Sequence, residues 1–311
     1  MKQTTAYSIE RRFFALGTVN SIRVNDPVDE RVVDEAMRRV FEIDYKMSAF
    51  RPESEIGRLN RLAGKGPQEL STETFLLLKR SEDMARESGG AFDVTIRPLV
   101  ELWGIGKKRG FIPTAGEISW AKALTGGLCL EDKTKSASFR KQGQAVDLGG
   151  IAKGYAADET VRVLKTGGIE NAVVNFGGNV IVLGTRPDGK PWRVGIQNPL
   201  APTGRFLGAL TMKDETVVTS GSNEKFFMKD GIRYHHILDP RTGTPAQSGV
   251  LSVSAVCRRS VDADALTTAL FILGPEKGAG LIRKYGADVI FVMENLRVIA
   301  TVGLKDRFRI L

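Results

Sequence analysis

The chain has 311 residues, room for one large domain or two intimately packed ones, and its 42% hydrophobic and 26% charged residues belong to an ordinary globular protein rather than a disordered one. A formal charge of +9 suits an anionic ligand or partner, but with 7% aromatic residues the basic runs Lys107-Lys108-Arg109, Arg140-Lys141 and Arg307 to Arg309 lack the aromatic interleaving of a nucleic-acid binder. Cys129 and Cys257 have no metal-ligand spacing, no apolar run is long enough to span a bilayer, and the N-terminus carries no signal-peptide core, so the sequence as it stands predicts a cytoplasmic protein, or a periplasmic or membrane-associated one if an export signal was removed.

Residues 13–24 alternate loosely and predict a strand leading from Gly17-Thr18. Val32, Val33, Ala36, Met37, Val40 and Phe41 recur at helical spacing and predict an amphipathic helix over 29–47, with a turn at Arg51-Pro52-Glu53. A second helix is predicted over 72–87, capped by Ser71 or Thr72 and stopped by Gly89-Gly90. Residues 111–146 read as short strands and turns, 144–148 as a strand, and 151–165 as a helix. Short strands follow at 172–174 and 180–183, around an Asn-Phe-Gly-Gly turn, and at 193–197, 206–212, 217–219 and 251–256. Helices at 263–273 and 276–285 precede closing strands. Strands and helices mix without strict βαβ alternation, which predicts an α+β fold over a doubly wound parallel one.

Four segments hold residue types suited to chemistry. Asp147-Leu-Gly-Gly-Ile-Ala-Lys153-Gly-Tyr-Ala-Ala-Asp158 runs from the predicted strand through a glycine pair into a helix. A helix start offers free N–H groups and partial positive charge to a phosphate, and Lys153 adds a full charge; an ordinary cap with a surface lysine fits the same residues. In Ser260-Val-Asp-Ala-Asp264-Ala-Leu-Thr267-Thr268, Asp264 and Thr268 share one helix face, and their hard oxygens suit Mg²⁺, although acidic residues also favour helix N-termini. Tyr234-His235-His236-Ile-Leu-Asp239-Pro-Arg241-Thr-Gly243 places both histidines of the chain beside a turn, as an acid–base group or as packing, with no thiol pair to make a zinc site. In Ser88-Gly-Gly-Ala-Phe92-Asp93, Phe92 suits stacking on a planar ring, or the core, and Asp93 suits a ribose or a ring edge.

Taken in this order, the segments resemble the ApbE family, the FAD:protein FMN transferases. The resemblance runs through Leu16-Gly17-Thr18, Met47-Ser-Ala-Phe50 on to Leu59-Asn60, Gly90-Ala-Phe-Asp93, 147–158, Asn175-Phe-Gly-Gly178, 236–243 and 263–269. It implies a T-fold-like α+β architecture of mixed and antiparallel sheets with packed helices, as one transferase domain over 1–311 or two packed subdomains. It implies Mg²⁺ held by Asp264, by Thr268 with Thr267 beside it, and by the Gly150 carbonyl. FAD contacts are implied at Leu16, Phe50, Ala91, Phe92, Asp93, Asp147, Lys153 and Leu238. The implied reaction moves the FMN half of FAD to a Thr or Ser hydroxyl of an acceptor protein with an FMN-binding redox or respiratory module. AMP leaves, with Lys153, Asp264 and, for proton transfer, His236 as the catalytic set. FAD hydrolysis to FMN and AMP, and FAD binding without catalysis, are the alternatives. The chain departs from the family at Leu16, Phe50, Asn179 and Ser222-Asn223, where methionine, tyrosine, an acidic residue and an Asp-Tyr pair are usual.

Overall fold

A computed structural model describes residues 8–106 and 110–311, so the basic run 107–109 lies outside the described residues. At its centre is an eight-stranded sheet whose strands stand side by side in chain order: β1 (Ile9–Ala15), β2 (Thr18–Val24), β3 (Ala172–Phe176), β4 (Asn179–Leu183), β5 (Glu215–Gly221), β6 (Val250–Cys257), β7 (Asp288–Met293) and β8 (Val298–Ala300). Every neighbouring pair is antiparallel.

The side chains of this sheet sort by the two-residue period of a strand. Ile181, Leu183, Val218, Ala255, Val289 and Phe291 join the larger core under the helices α1 (Glu30–Met47), α2 (Thr72–Glu87), α3 (Ala152–Thr166) and α4 (Ser260–Tyr285). The intervening Val182, Val217, Val256 and Ile290 face the other way. They pack on a three-stranded sheet in which Phe206–Met212 runs between Trp192–Gln197 and Phe308–Ile310. The order of layers is therefore helices, large sheet, small sheet. No helix among the described residues is long and apolar enough to cross a membrane.

Several local expectations need correction. Residues 13–24 are no single strand but the two arms of the β1–β2 hairpin, because Leu16 (φ 54°) and Gly17 (φ 72°) turn the chain in two left-handed residues. Residues 144–148 form no strand beyond a bridge from Ala145 to Ile96. The Asn60 side chain replaces a strand partner, its Oδ1 accepting from Val146 N at 2.7 Å and its Nδ2 donating to Val146 O at 2.9 Å. The short helix Ala115–Lys122 lies where strands and turns were expected. It buries only Ala121, so no apolar stripe betrays it, and it rests on a Thr114–Glu117 capping box. The two helices predicted at the end of the chain, by contrast, are both present: they run together as α4 but are separated at Gly274 (φ 74°), whose backbone is not helical, just before Pro275.

Two features lock α3 against α4. Gly154 lies so close to the start of α4 that a Cβ there would sit 2.2 Å from Ser260 O. Gly154→Ala is expected to cost about 3 kcal/mol by overpacking against backbone that cannot yield. An unchanged urea midpoint for that variant would refute the tight crossing. The second feature is the cap of α4. Its own N-cap, Arg259, makes no side-chain hydrogen bond, and Asp158 of α3 accepts instead from Ser260 N at 2.8 Å and Val261 N at 3.0 Å.

Burial pushes the Asp158 carboxyl up to about 6, against the pull of those two N–H groups. A raised folded pKa means that the native state holds this proton between pH 4 and 6 while the unfolded chain has lost it. The stability contributed is thus greatest below the ordinary carboxylate range and fades as pH rises through about 6. The stability difference between wild type and Asp158→Asn should shift towards wild type as pH falls from 7 to 5. Denaturant titrations at both pH values check this, and a flat or opposite trend sinks it.

Candidate active site

Strand register gathers one end of the large sheet. The turn at Leu16-Gly17 closes β1–β2, Asn20 pairs with Phe176, Phe176 pairs with Asn179, and Asn179 pairs with Val218. The Gly177-Gly178 turn and the Ser220-Gly221 end of β5 therefore lie at that same end. There Ser220 Oγ donates to Thr267 Oγ1 of α4 at 3.0 Å.

Above this end the starts of α3 and α4 meet. Asp264 is 3% exposed. Its Oδ2 accepts from the backbone N–H of Gly154 at 2.9 Å, and the Lys153 ammonium lies 3.3 Å from its Oδ1. Lys153 Nζ also donates to Gly149 O at 2.9 Å. Helix α3 has no side-chain cap at Ile151, so Asp264 serves as a cap reaching across from the second helix. A carboxylate and an ammonium held this close, with so little water, interact more strongly than a surface pair.

Gly150 joins this pair to the rest of the site. A Cβ there would come within 3.2 Å of Phe92 Cε2 and 3.4 Å of Thr268 Oγ1, so the Gly150 backbone packs closely against both. Thr268 Oγ1 lies 3.5 Å from Asp264 O, within the same helix turn. Thr267 is fully buried, its hydroxyl donating to Asp264 O at 2.9 Å and accepting from Ser220. The structure thus brings Gly150, Lys153, Asp264, Thr267, Thr268 and Phe92 together.

The remaining predicted residues frame this centre. Asp147 Oδ1 accepts from Gly149 N at 2.8 Å, and its Oδ2 lies 3.4 Å from Arg97 Nη1. The Arg97 guanidinium also stacks 4.6 Å over the ring of Phe50, which is 67% exposed and keeps a face towards solvent. Asp93 Oδ1 is held by Thr95, accepting from its N at 2.8 Å and its Oγ1 at 2.6 Å. Ala91 and Phe92 are buried. The Gly89-Gly90 turn (φ 59° and 76°) carries them past Arg241, whose Cγ would lie 3.8 Å from a Cβ on Gly90. Leu16 donates its N–H to Asp44 Oδ1 at 3.1 Å. Leu238 is buried with Leu99 and Trp103, next to the turn closed by Gly243 N on Asp239 O at 2.8 Å.

The two histidines differ. His235 is buried, with Nε2 at 3.1 Å from Ala246 O and its ring edge on Phe271. His236 is open on one side and crowded by protein on the other. Its Nδ1 lies 3.3 Å from Lys225 O. A carbonyl can only accept, so Nδ1 carries the proton and Nε2 keeps its lone pair. Desolvation of the ring, joined by the charges of Lys225 and Lys153 and opposed by the bond to the Lys225 carbonyl, holds its pKa well below the ordinary imidazole value.

Sequence reasoning missed Arg97, Asp158, Asn60 and Ser220. Each works through a partner more than 45 residues away along the chain. Their motif neighbours Asp93, Lys153, Leu59 and Ser222 were the available signal.

A sequence model of the ApbE family matches residues 16–291. An FAD:protein FMN transferase of Treponema pallidum is 35% identical, over 97% of this chain and 89% of the relative. One from Klebsiella pneumoniae is 36% identical, over 90% of this chain and 88% of the relative. Among solved structures, the flavin transferase ApbE from Vibrio cholerae superposes with a TM-score of 0.87 at 30% identity, covering 97% of this chain and 99% of that one. The ApbE protein from Thermotoga maritima gives 0.88 at 33% identity, covering 97% and 100%.

Proposed function

The chain belongs to the ApbE family, and on that premise we propose that the site cuts FAD and transfers its FMN half to a Thr or Ser hydroxyl of an acceptor protein, with AMP as the leaving group. The observation that carries this reading is the meeting of Lys153, Asp264 and the Gly150 backbone above the starts of two helices. It supplies positive charge and helix N–H groups for a diphosphate, with one buried carboxylate beside them.

The donor set fits Mg²⁺. Asp264 Oδ1, Thr268 Oγ1 and the Gly150 carbonyl are hard oxygens, Gly150 lacks the Cβ that would fill the gap between Phe92 and Thr268, and Thr267 braces the turn from behind. A single carboxylate leaves coordination positions for substrate phosphates and water, as Mg²⁺ prefers. No cluster of three His, Cys, Asp or Glu side chains among the described residues offers a metal cage. When bound, Mg²⁺ would neutralise the charge that builds on the diphosphate during P–O cleavage.

The protein's own residues orient and move the proton. Lys153 draws in the diphosphate with its ammonium, held near Gly149 O. Phe50, stacked on Arg97, and Phe92 flank the flavin and nucleotide, and Asp93, Asp147, Ala91, Leu16 and Leu238 complete the walls. The acceptor hydroxyl oxygen attacks the phosphorus on the riboflavin side, and His236 Nε2 takes its proton. The bond from that phosphorus to the bridging oxygen breaks, and the bridging oxygen leaves with AMP. Incubation with FAD, Mg²⁺ and a protein carrying an FMN-binding module should add the mass of one FMN less one water to the acceptor, and EDTA should abolish the gain. Absence of any mass gain would overturn the transferase reading.

A further inference from the structure

The hairpin Phe226–Lys229 with Ile232–His235 ends at His236 and forms a two-stranded sheet without a third strand among the described residues. Asp230 (φ 51°) and Gly231 (φ 77°) make its two-residue turn, so Lys229 and Ile232 close it as a hydrogen-bonded pair. Pairs alternate from there. Phe227 and Tyr234 bond each other, as do Lys225 and His236, where His236 N donates to Lys225 O at 3.1 Å. Phe226 and Met228 fall between, and their N–H and C=O groups point outward. Their side chains are also uncovered, Phe226 at 41% and Met228 at 55%.

An exposed strand edge with apolar side chains is a template for another extended chain. This edge runs straight into the site. One residue before Phe226 is Lys225, whose carbonyl meets both the N–H and the Nδ1 of His236. A strand laid along Phe226 and Met228 advances roughly 3.3 Å per residue, so its next one or two residues reach the level of His236, and as the segment leaves the edge it crosses the two strand spacings, about 4.8 Å each, that separate it from the His236 strand. The hairpin carries three cations, Lys225, Lys229 and Arg233, against the two carboxylates Glu224 and Asp230, a balance of one positive charge, and Arg233 stacks 4.6 Å over Phe226.

We propose that the acceptor protein docks here by adding an extended segment, with acidic rather than basic flanks, as a third strand on the Phe226–Met228 edge, which delivers its hydroxyl to His236. This rests on the transferase reading above, and the test keeps the two apart. Met228→Pro removes an outward N–H without removing a hydrogen bond of the hairpin. The paired replacement Phe226→Ser with Met228→Ser keeps the edge but strips its apolar contact. Both should raise KM for the protein acceptor by about tenfold, while KM for FAD and the slow release of FMN to water stay at wild-type values. Hydrogen exchange at the Phe226 and Met228 amides should slow when acceptor binds the wild-type enzyme. An acceptor KM unchanged in the serine variant, or no protection of these amides, overturns the docking edge. A wild-type enzyme that releases FMN to water but labels no acceptor would instead overturn the transferase reading.

Discussion

Asp264→Ala is expected to abolish Mg²⁺-dependent transfer, with kcat reduced about a thousandfold or more, because it removes the only carboxylate among the proposed metal-binding oxygens. The same side chain accepts from Gly154 N, so the alanine variant also uncaps α3, at a cost of about 1 kcal/mol. Asp264→Asn separates the two roles. Its amide oxygen still accepts from Gly154, so thermal stability should stay near wild type while the Mg²⁺ requirement rises steeply. Lys153 would then lose its carboxylate at 3.3 Å and turn wholly to the diphosphate, so FAD affinity without metal should rise rather than fall. Transfer rates against Mg²⁺ concentration, beside equilibrium FAD binding, read both effects. Full activity of either variant would sink the metal assignment.

His236→Ala should lower kcat about a hundredfold to ten-thousandfold while leaving KM for FAD little changed, since the role proposed for the imidazole is on the attacking hydroxyl and not on the bound dinucleotide. The pH dependence gives a sharper test. The ring titrates below its ordinary value because crowding and neighbouring cations disfavour the imidazolium. A base with a depressed pKa is ready at every pH above that value, and its activity fails only as pH falls through it. The acid limb of kcat/KM for the acceptor should therefore lie below the ordinary histidine range, with a plateau from pH 8 down to pH 6. A midpoint at or above 6.5 would remove His236 from the role of base.

The local rules were legible in the sequence where one stretch of chain supplies its own signal. The 18-residue helix α1 announces itself by its apolar stripe, while Asp29, expected as its first residue, proves to be its cap, with its side chain accepting from Arg31 N. The Gly89-Gly90 stop and the glycine turn between β3 and β4 are equally visible, because positive φ selects glycine. The pairing of Asp264 with Thr268 follows from helix periodicity alone. The proposed diphosphate seat at the start of α3 was legible as a type of place, but Asp264 already holds one of its N–H groups, and no pattern within 147–158 shows that.

What only the tertiary structure decided is which distant groups complete each other. Gly154 is a glycine because Ser260 O passes within 2.2 Å of where its Cβ would be, 106 residues along the chain. Asp158 caps a helix that it does not belong to, and Asn60 stands in for a missing strand at Val146. The two histidines are adjacent in sequence, yet strand alternation sends His235 into the core beside Phe271 and leaves His236 open at the site. Secondary structure obeys interactions over a few residues, which composition and spacing record. A site is an intersection of elements, and its contacts are set by the order of strands in the sheet and the crossing of α3 with α4, which no local pattern encodes.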